Sequence, residues 1–201
     1  MKTTFISSIA LLATTALAAP APVASSATTS SAPAPTASAS AFGLMSLRSG
    51  SDIHFATINA RDSKFWIGKQ TNTYCPSGSG IPCETLSNTT TLRLNGDNLV
   101  MDAAVPGGQV VYIGPKGALR FTESHTNAMP AGSTTGGFNV TQESSFGEIS
   151  HAGGFVACPT KKAGGPPYEI FVQVKGFEKT DCEGFDFVAV NVTTGPAWEY
   201  L

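Results

Sequence analysis

Gln109-Val110-Val111-Tyr112-Ile113-Gly114-Pro115-Lys116-Gly117-Ala118-Leu119-Arg120-Phe121 holds two short runs of β-branched, aliphatic and aromatic residues separated by a Gly/Pro turn signal. That is the grammar of strand, turn, strand. The same grammar extends in both directions. Toward the N-terminus lie Ile53-His54-Phe55-Ala56, Lys64-Phe65-Trp66-Ile67, Thr91-Leu92-Arg93-Leu94 and Asn98-Leu99-Val100-Met101. Toward the C-terminus come Gly154-Phe155-Val156-Ala157-Cys158, Tyr168-Glu169-Ile170-Phe171-Val172-Gln173-Val174 and Phe185-Asp186-Phe187-Val188-Ala189-Val190. Leu92/Leu94 and Phe185/Phe187 alternate as half-buried strands do. Asn95-Gly96-Asp97, Pro106-Gly107-Gly108 and Gly164-Gly165-Pro166-Pro167 supply further turns. With 21 Gly and 13 Pro in 201 residues, and no amphipathic stretch longer than about two helical turns, the composition argues against a helical protein.

The expected fold is therefore all-β, one compact disulfide-tied β-barrel or β-sandwich over residues 42-201. A weak internal repeat points to one particular barrel. Trp66-Ile67-Gly68, Tyr112-Ile113-Gly114 and Phe155-Val156-Ala157 recur at steps of 46 and 43 residues, a period compatible with a β-trefoil-like pseudo-repeat; a generic sandwich or barrel is the competing reading.

The N-terminal sequence sets the compartment. Residues 1-18 read as a secretory signal peptide: Lys2, a short apolar stretch from Phe5 to Leu17, and Ala16-Leu17-Ala18 as the small-x-small cleavage site. Residues 19-41 are Ala, Pro, Ser or Thr at 22 of 23 positions. Nothing large is available to bury, so this segment is expected to be a disordered, O-glycosylated stalk. No terminal apolar tail of the kind that directs lipid anchoring follows Asn191, and no apolar run reaches the roughly 20 residues of a membrane span, so no membrane anchor is expected. A net charge of −2 is unsuited to phosphate neutralisation, which argues against nucleic acid as a partner.

Cys75, Cys83, Cys158 and Cys182 are an even set in an oxidising compartment, hence two disulfides with three possible pairings. The local pairing Cys75–Cys83 and Cys158–Cys182 is favoured because the first loop is turn-rich and closes easily. No C-x2-C spacing supports zinc. Asn88, Asn139 and Asn191 head three N-glycosylation sequons and should be exposed.

An active site is hard to find. Asp52/His54, Glu123/His125 and Glu148/His151 are acid–histidine pairs that could serve acid–base or metal chemistry, but local surface contacts are the simpler account and no zinc signature accompanies them. There is no G-x-S-x-G elbow, the cysteines are expected to be oxidised, and no Gly-Gly pair precedes a helix. Fourteen acids allow a glycosidase pair without identifying one. The chain is expected not to be an enzyme and to need no cofactor or metal. Trp66, Trp198 and Tyr200 are the rings that could stack on a sugar, although for Trp66 a core position is the favoured reading.

Ser51-Asp52-Ile53-His54-Phe55, Lys64-Phe65-Trp66-Ile67-Gly68, Thr73-Tyr74-Cys75-Pro76, Val105-Pro106-Gly107-Gly108, Phe155-Val156-Ala157-Cys158-Pro159, Cys182-Glu183-Gly184-Phe185 and Trp198-Glu199-Tyr200, in this order, resemble the fungal cell wall protein PhiA family. The half bearing Cys158 and Cys182 is more loosely similar to the cysteine-bearing end of Pir-type cell wall proteins, without their glutamine-rich repeats. The resemblance implies a secreted, glycosylated, non-enzymatic structural component of the fungal cell wall, involved in phialide and conidium development, with IgE-binding members. Its implied partners are cell wall polysaccharides or mannoproteins. A polysaccharide-binding lectin-like module, a secreted effector and, behind them, a small secreted hydrolase are the competing functions.

Overall fold

The computed structural model describes residues 40–143, 146–161 and 164–201. The expected signal peptide and nearly all of the stalk lie outside the described residues. Fourteen strands and a single 3-10 turn at Cys83–Thr85 make up the regular structure of the described residues.

The strands are β1 Phe42–Leu47, β2 Ile58–Arg61, β3 Lys64–Ile67, β4 Thr73–Tyr74, β5 Thr91–Asn95, β6 Asn98–Met101, β7 Val111–Ile113, β8 Leu119–Phe121, β9 Asn139–Glu143, β10 Phe146–Ser150, β11 Phe155–Pro159, β12 Tyr168–Val172, β13 Glu183–Asn191 and β14 Glu199–Tyr200. Their pairing runs β6-β5-β1-β13-β11-β12-β3-β8-β7. The circuit then closes: Val110, beside β7, bridges Val100 of β6, and the Met101 amide donates to the Gln109 carbonyl at 2.9 Å. A closed ring leaves its strands no free edge, which is the advantage of a barrel over an open sheet. β2 pairs with β3, and β9 and β10 form a hairpin laid on β13.

β13 is the organising strand. Residues 186–191 pair with β1, residues 187–190 also pair with β10, and residues 183–185 pair with β11. Its alternation sends Phe185, Phe187 and Ala189 into the core and leaves Asp186 and Val188 facing out. Phe155, Phe185 and Phe187 pack ring against ring, Phe155 and Phe187 edge-on at 4.8 Å.

The quoted β7–β8 hairpin forms as expected. The Gly117 amide closes the turn onto the Gly114 carbonyl at 2.8 Å, and the Gly117 carbonyl accepts from the Val172 amide of β12. A Cβ at Gly117 would stand 2.3 Å from the Val172 carbonyl oxygen, and its φ is +86°, so only glycine fits where this turn rests on β12. Of the aromatic triplets, Trp66-Ile67 and Tyr112-Ile113 end their strands, whereas Phe155-Val156 begins one.

One expected strand is a turn instead. Residues 51–55, covering most of Ile53-His54-Phe55-Ala56, coil tightly around fully buried Ser46, whose Oγ donates to the Ile53 carbonyl at 2.6 Å and to that of Ala56, just after the turn, at 3.1 Å. Ile53 is pulled into the core, and Phe55 is left with φ +58° and its ring 62% exposed.

Both disulfides follow the local pairing, Cys75–Cys83 and Cys158–Cys182. The last described residues are built into the barrel. Buried Gln109 donates through Nε2 to the Tyr200 and Thr122 carbonyls, at 2.9 Å each, and accepts the Tyr200 amide at 2.8 Å. The Tyr200 hydroxyl takes the Thr91 amide at 3.1 Å and donates to the Thr89 carbonyl at 2.9 Å.

Candidate functional site: a groove over β13

Outward positions of four neighbouring strands form one polar and apolar surface. Thr141 of β9 lies opposite Glu148 of β10, Glu148 opposite Val188 of β13, and Val188 opposite Met45 of β1, making one rung across the sheet. Around this rung a groove of about 390 Å³ is lined by Leu47, Thr141, Phe146, Gly147, Glu148, Asp186 and Val188. A second hollow of about 510 Å³ shares Leu47 and Asp186 and continues to Arg48, Ser49, Gln173 and Gly184.

The chemistry of the surface follows from the alternation of its strands. Phe146 is 60% exposed because its neighbours Gly147 and Ile149 take the inward positions of β10. Glu148 and Asp186 are exposed and sit diagonally across the β10–β13 pair, roughly 7–8 Å apart at the backbone. Leu47 and Val188 form an apolar floor between them. A ring face beside carboxylates, an amide and a guanidinium is the set a saccharide uses, stacking its C–H face and donating its hydroxyls.

The rings expected to contact carbohydrate are elsewhere. Trp66 is 5% exposed, its Nε1 donates to the Arg61 carbonyl at 2.9 Å, and the Lys69 ammonium lies 3.3 Å from its ring centroid. Tyr200 is 2% exposed with its hydroxyl spent on Thr89 and Thr91. Neither offers a face to a sugar, which corrects the carbohydrate contact expected of Tyr200 and, for Trp66, leaves the core reading. Trp198 is half-buried, its carbonyl bonded to the Val105 amide, and no contact brings it to the β13 groove. Among the described residues the exposed Phe, Tyr and Trp rings are Phe55, Tyr74 and Phe146. Sequence reading missed Phe146 because burial, not composition, separates it from the other phenylalanines.

In two of the three acid–histidine pairs, Asp52/His54 and Glu148/His151, members bond or pack outside the pair. Asp52 accepts the Tyr168 hydroxyl at 2.9 and 3.0 Å, while His54 Nδ1 accepts the Arg48 amide at 3.2 Å. Burial, the Asp52 hydrogen bond and the Asp52 and Glu183 charges push Tyr168 up to about 12. His125 stands on an exposed turn with φ +61°. His151 packs on Phe138 at 5.2 Å and accepts the Gly153 amide at Nδ1; partial burial lowers its pKa. Among the described residues no three His, Cys, Asp or Glu side chains gather as a metal site. Asn88, Asn139 and Asn191 are all exposed.

Residues 42–201, the barrel with its groove, match the family model described as PhiA-like secreted protein. The chain belongs to that family. An uncharacterized secreted protein of Arthroderma benhamiae is 34% identical over 155 residues, covering 71% of this chain and 76% of its own length. No solved structure matches. The PhiA-like domain thus coincides with the closed barrel from its first strand, Phe42–Leu47, and the protein is a secreted one. Among the described residues no helix is long and apolar enough to cross a membrane.

Proposed function

We propose that this PhiA-like protein is a glycosylated structural component of the fungal cell wall, retained by polysaccharide seated in the β13 groove and acting in phialide and conidium development. The observation that carries the retention step is a pair of adjoining hollows that share Leu47 and Asp186, one reaching Phe146 and Val188 and the other Arg48 and Gln173. Two adjoining hollows suit a chain-like ligand better than a small molecule, because successive sugar residues can occupy each. Exposed Asn88, Asn139 and Asn191 fit a glycosylated surface.

The reading is of a binding groove rather than a catalytic one. A general acid must be sheltered from water to hold its proton at neutral pH, and Glu148 and Asp186 are both exposed. The diagonal placement of the two carboxylates is the observation favouring a second reading, a small secreted hydrolase.

The test is fractionation of producing cells into medium and walls, the walls extracted with detergent, then thiol, then glucanase. Wild-type protein is expected in the wall until glucanase treatment, and Phe146→Ala protein in the medium. Complete recovery of the wild type in the medium would overturn the structural reading and favour an effector. Reducing-end release from glucan by the wild type but not by Asp186→Asn would replace it with the hydrolase.

A further inference from the structure

We propose that the face built from β3, β8 and β12 is a second binding site, for a polyanionic polysaccharide whose carboxylate or phosphodiester groups seat among Lys64, Lys116, Arg120 and Lys179. The site is separate from the β13 groove and does not rest on the function proposed for it.

Lys64, Lys116, Ala118, Arg120, Glu169, Phe171, Glu178 and Lys179 line a cleft of about 420 Å³, within the range of ligand clefts. Four cations face two carboxylates there, on a chain whose formal net charge is −2. The local sign is therefore opposite to that of the molecule. Such local inversion attracts anions through the field of the cleft, where the whole protein would repel them.

The cations are held in place. Lys64 Nζ lies 3.2 Å from Glu169 Oε1, and Arg120 Nη2 is 3.9 Å from the same oxygen. Glu169 is almost wholly buried, so one fixed carboxylate positions two cations and leaves most of their donors unspent. Lys64 Nζ also lies 5.3 Å from the Trp66 ring centroid, and Lys179 Nζ 5.0 Å from that of Phe171. Rings beneath ammonium groups restrict their wandering, so less side-chain entropy is lost when an anion arrives. Among the described residues Lys116 and Lys179 carry no ion pair, and Glu178, at the rim, is the charge that opposes an incoming anion. The planar guanidinium of Arg120 matches both carboxylate and phosphodiester oxygens.

The full secreted chain would be titrated with polygalacturonate, a phosphodiester-bearing mannan, neutral mannan and laminarin, at low salt and at about 0.15 M salt. Binding to at least one anionic polymer, weakening with salt and absent for neutral mannan, is expected. The double variant Lys116→Gln/Lys179→Gln, at exposed positions where the fold is indifferent, should lose about tenfold in affinity. Glu178→Gln should bind several-fold tighter, and Lys161→Gln, an exposed cation outside the cleft, should bind as the wild type. A preference for the uronate or the phosphodiester polymer identifies the group seated. Equal loss in Lys161→Gln, wild-type binding by the double variant, or equal binding of neutral mannan would each overturn the proposal.

Discussion

The two faces of the barrel use aromatic residues in opposite ways. Over β13, Phe146 stands in solvent beside carboxylates. Over β3, β8 and β12, Trp66 and Phe171 are buried and ammonium groups lie against them. One face offers a ring to a ligand, and the other uses its rings to hold cations. Counting aromatic residues therefore says nothing about recognition until burial is known, because the same atoms act as a contact on one side and a support on the other.

This contrast can be broken experimentally. Trp66→Ala should cost about 3–5 kcal/mol in chemical denaturation, as a large buried ring removed from a packed wall. Wild-type stability in that variant would mean Trp66 is not a support at all. Replacing both Cys158 and Cys182 by Ser should cost about 2–4 kcal/mol. Because Cys158 packs with Val156 and Phe171 beneath the cationic cleft, polyanion binding should weaken before laminarin binding does. Phe55→Asn should stabilise the domain by about 1 kcal/mol, since Asn tolerates the left-handed backbone that Phe adopts there under strain. A lower thermal midpoint in that variant would show that the exposed ring has a packing role. Phe146→Ala should change stability by less than about 0.5 kcal/mol while abolishing wall retention, the inverse of Trp66→Ala.

The remaining effects are on pH dependence. His151 is held below its ordinary pKa by burial, so its contribution is intact above the unfolded value near 6.5 and is lost as pH falls below it. His151→Gln should flatten the stability profile in that window. Tyr168 behaves oppositely at the alkaline end. Burial first, then Asp52, raises it to about 12, so its contribution is complete below the unfolded value near 10 and lost between about pH 10 and 12. Tyr168→Phe should remove that alkaline step.

Much of the fold is readable from local pattern. The runs at 64–67, 91–94, 98–101 and 118–121 become strands, and the short loop between Cys75 and Cys83 closes on itself. What escaped reading has physical causes. β1 alternates inward at Phe42, Leu44 and Ser46, but a buried serine looks like a break in an apolar pattern until its two carbonyl partners are seen. β10 places its largest residue, Phe146, outward and a glycine inward, inverting the usual cue. The β13 groove could not be found locally at all. It needs positions 47, 141, 148, 186 and 188 in register, and register between distant strands is set by the folded sheet. Residue type alone points to Trp66 and Tyr200, and it cannot distinguish a solvent-facing ring from a core one.

The bond between Tyr200 and Thr91 spans 109 residues of chain. During synthesis at about 5–20 residues per second, β5 therefore waits on the order of 5–20 s for the residue that completes its surroundings. Thr90, whose hydroxyl accepts the Ala60 amide at 2.7 Å, sits between Thr89 and Thr91, the two residues whose backbone the Tyr200 hydroxyl holds. Thr90 is also the third residue of the Asn88 sequon. The late arrival of Tyr200 thus leaves the Thr89 carbonyl and the Thr91 amide, on either side of that threonine, without their final partner until residue 200 has emerged.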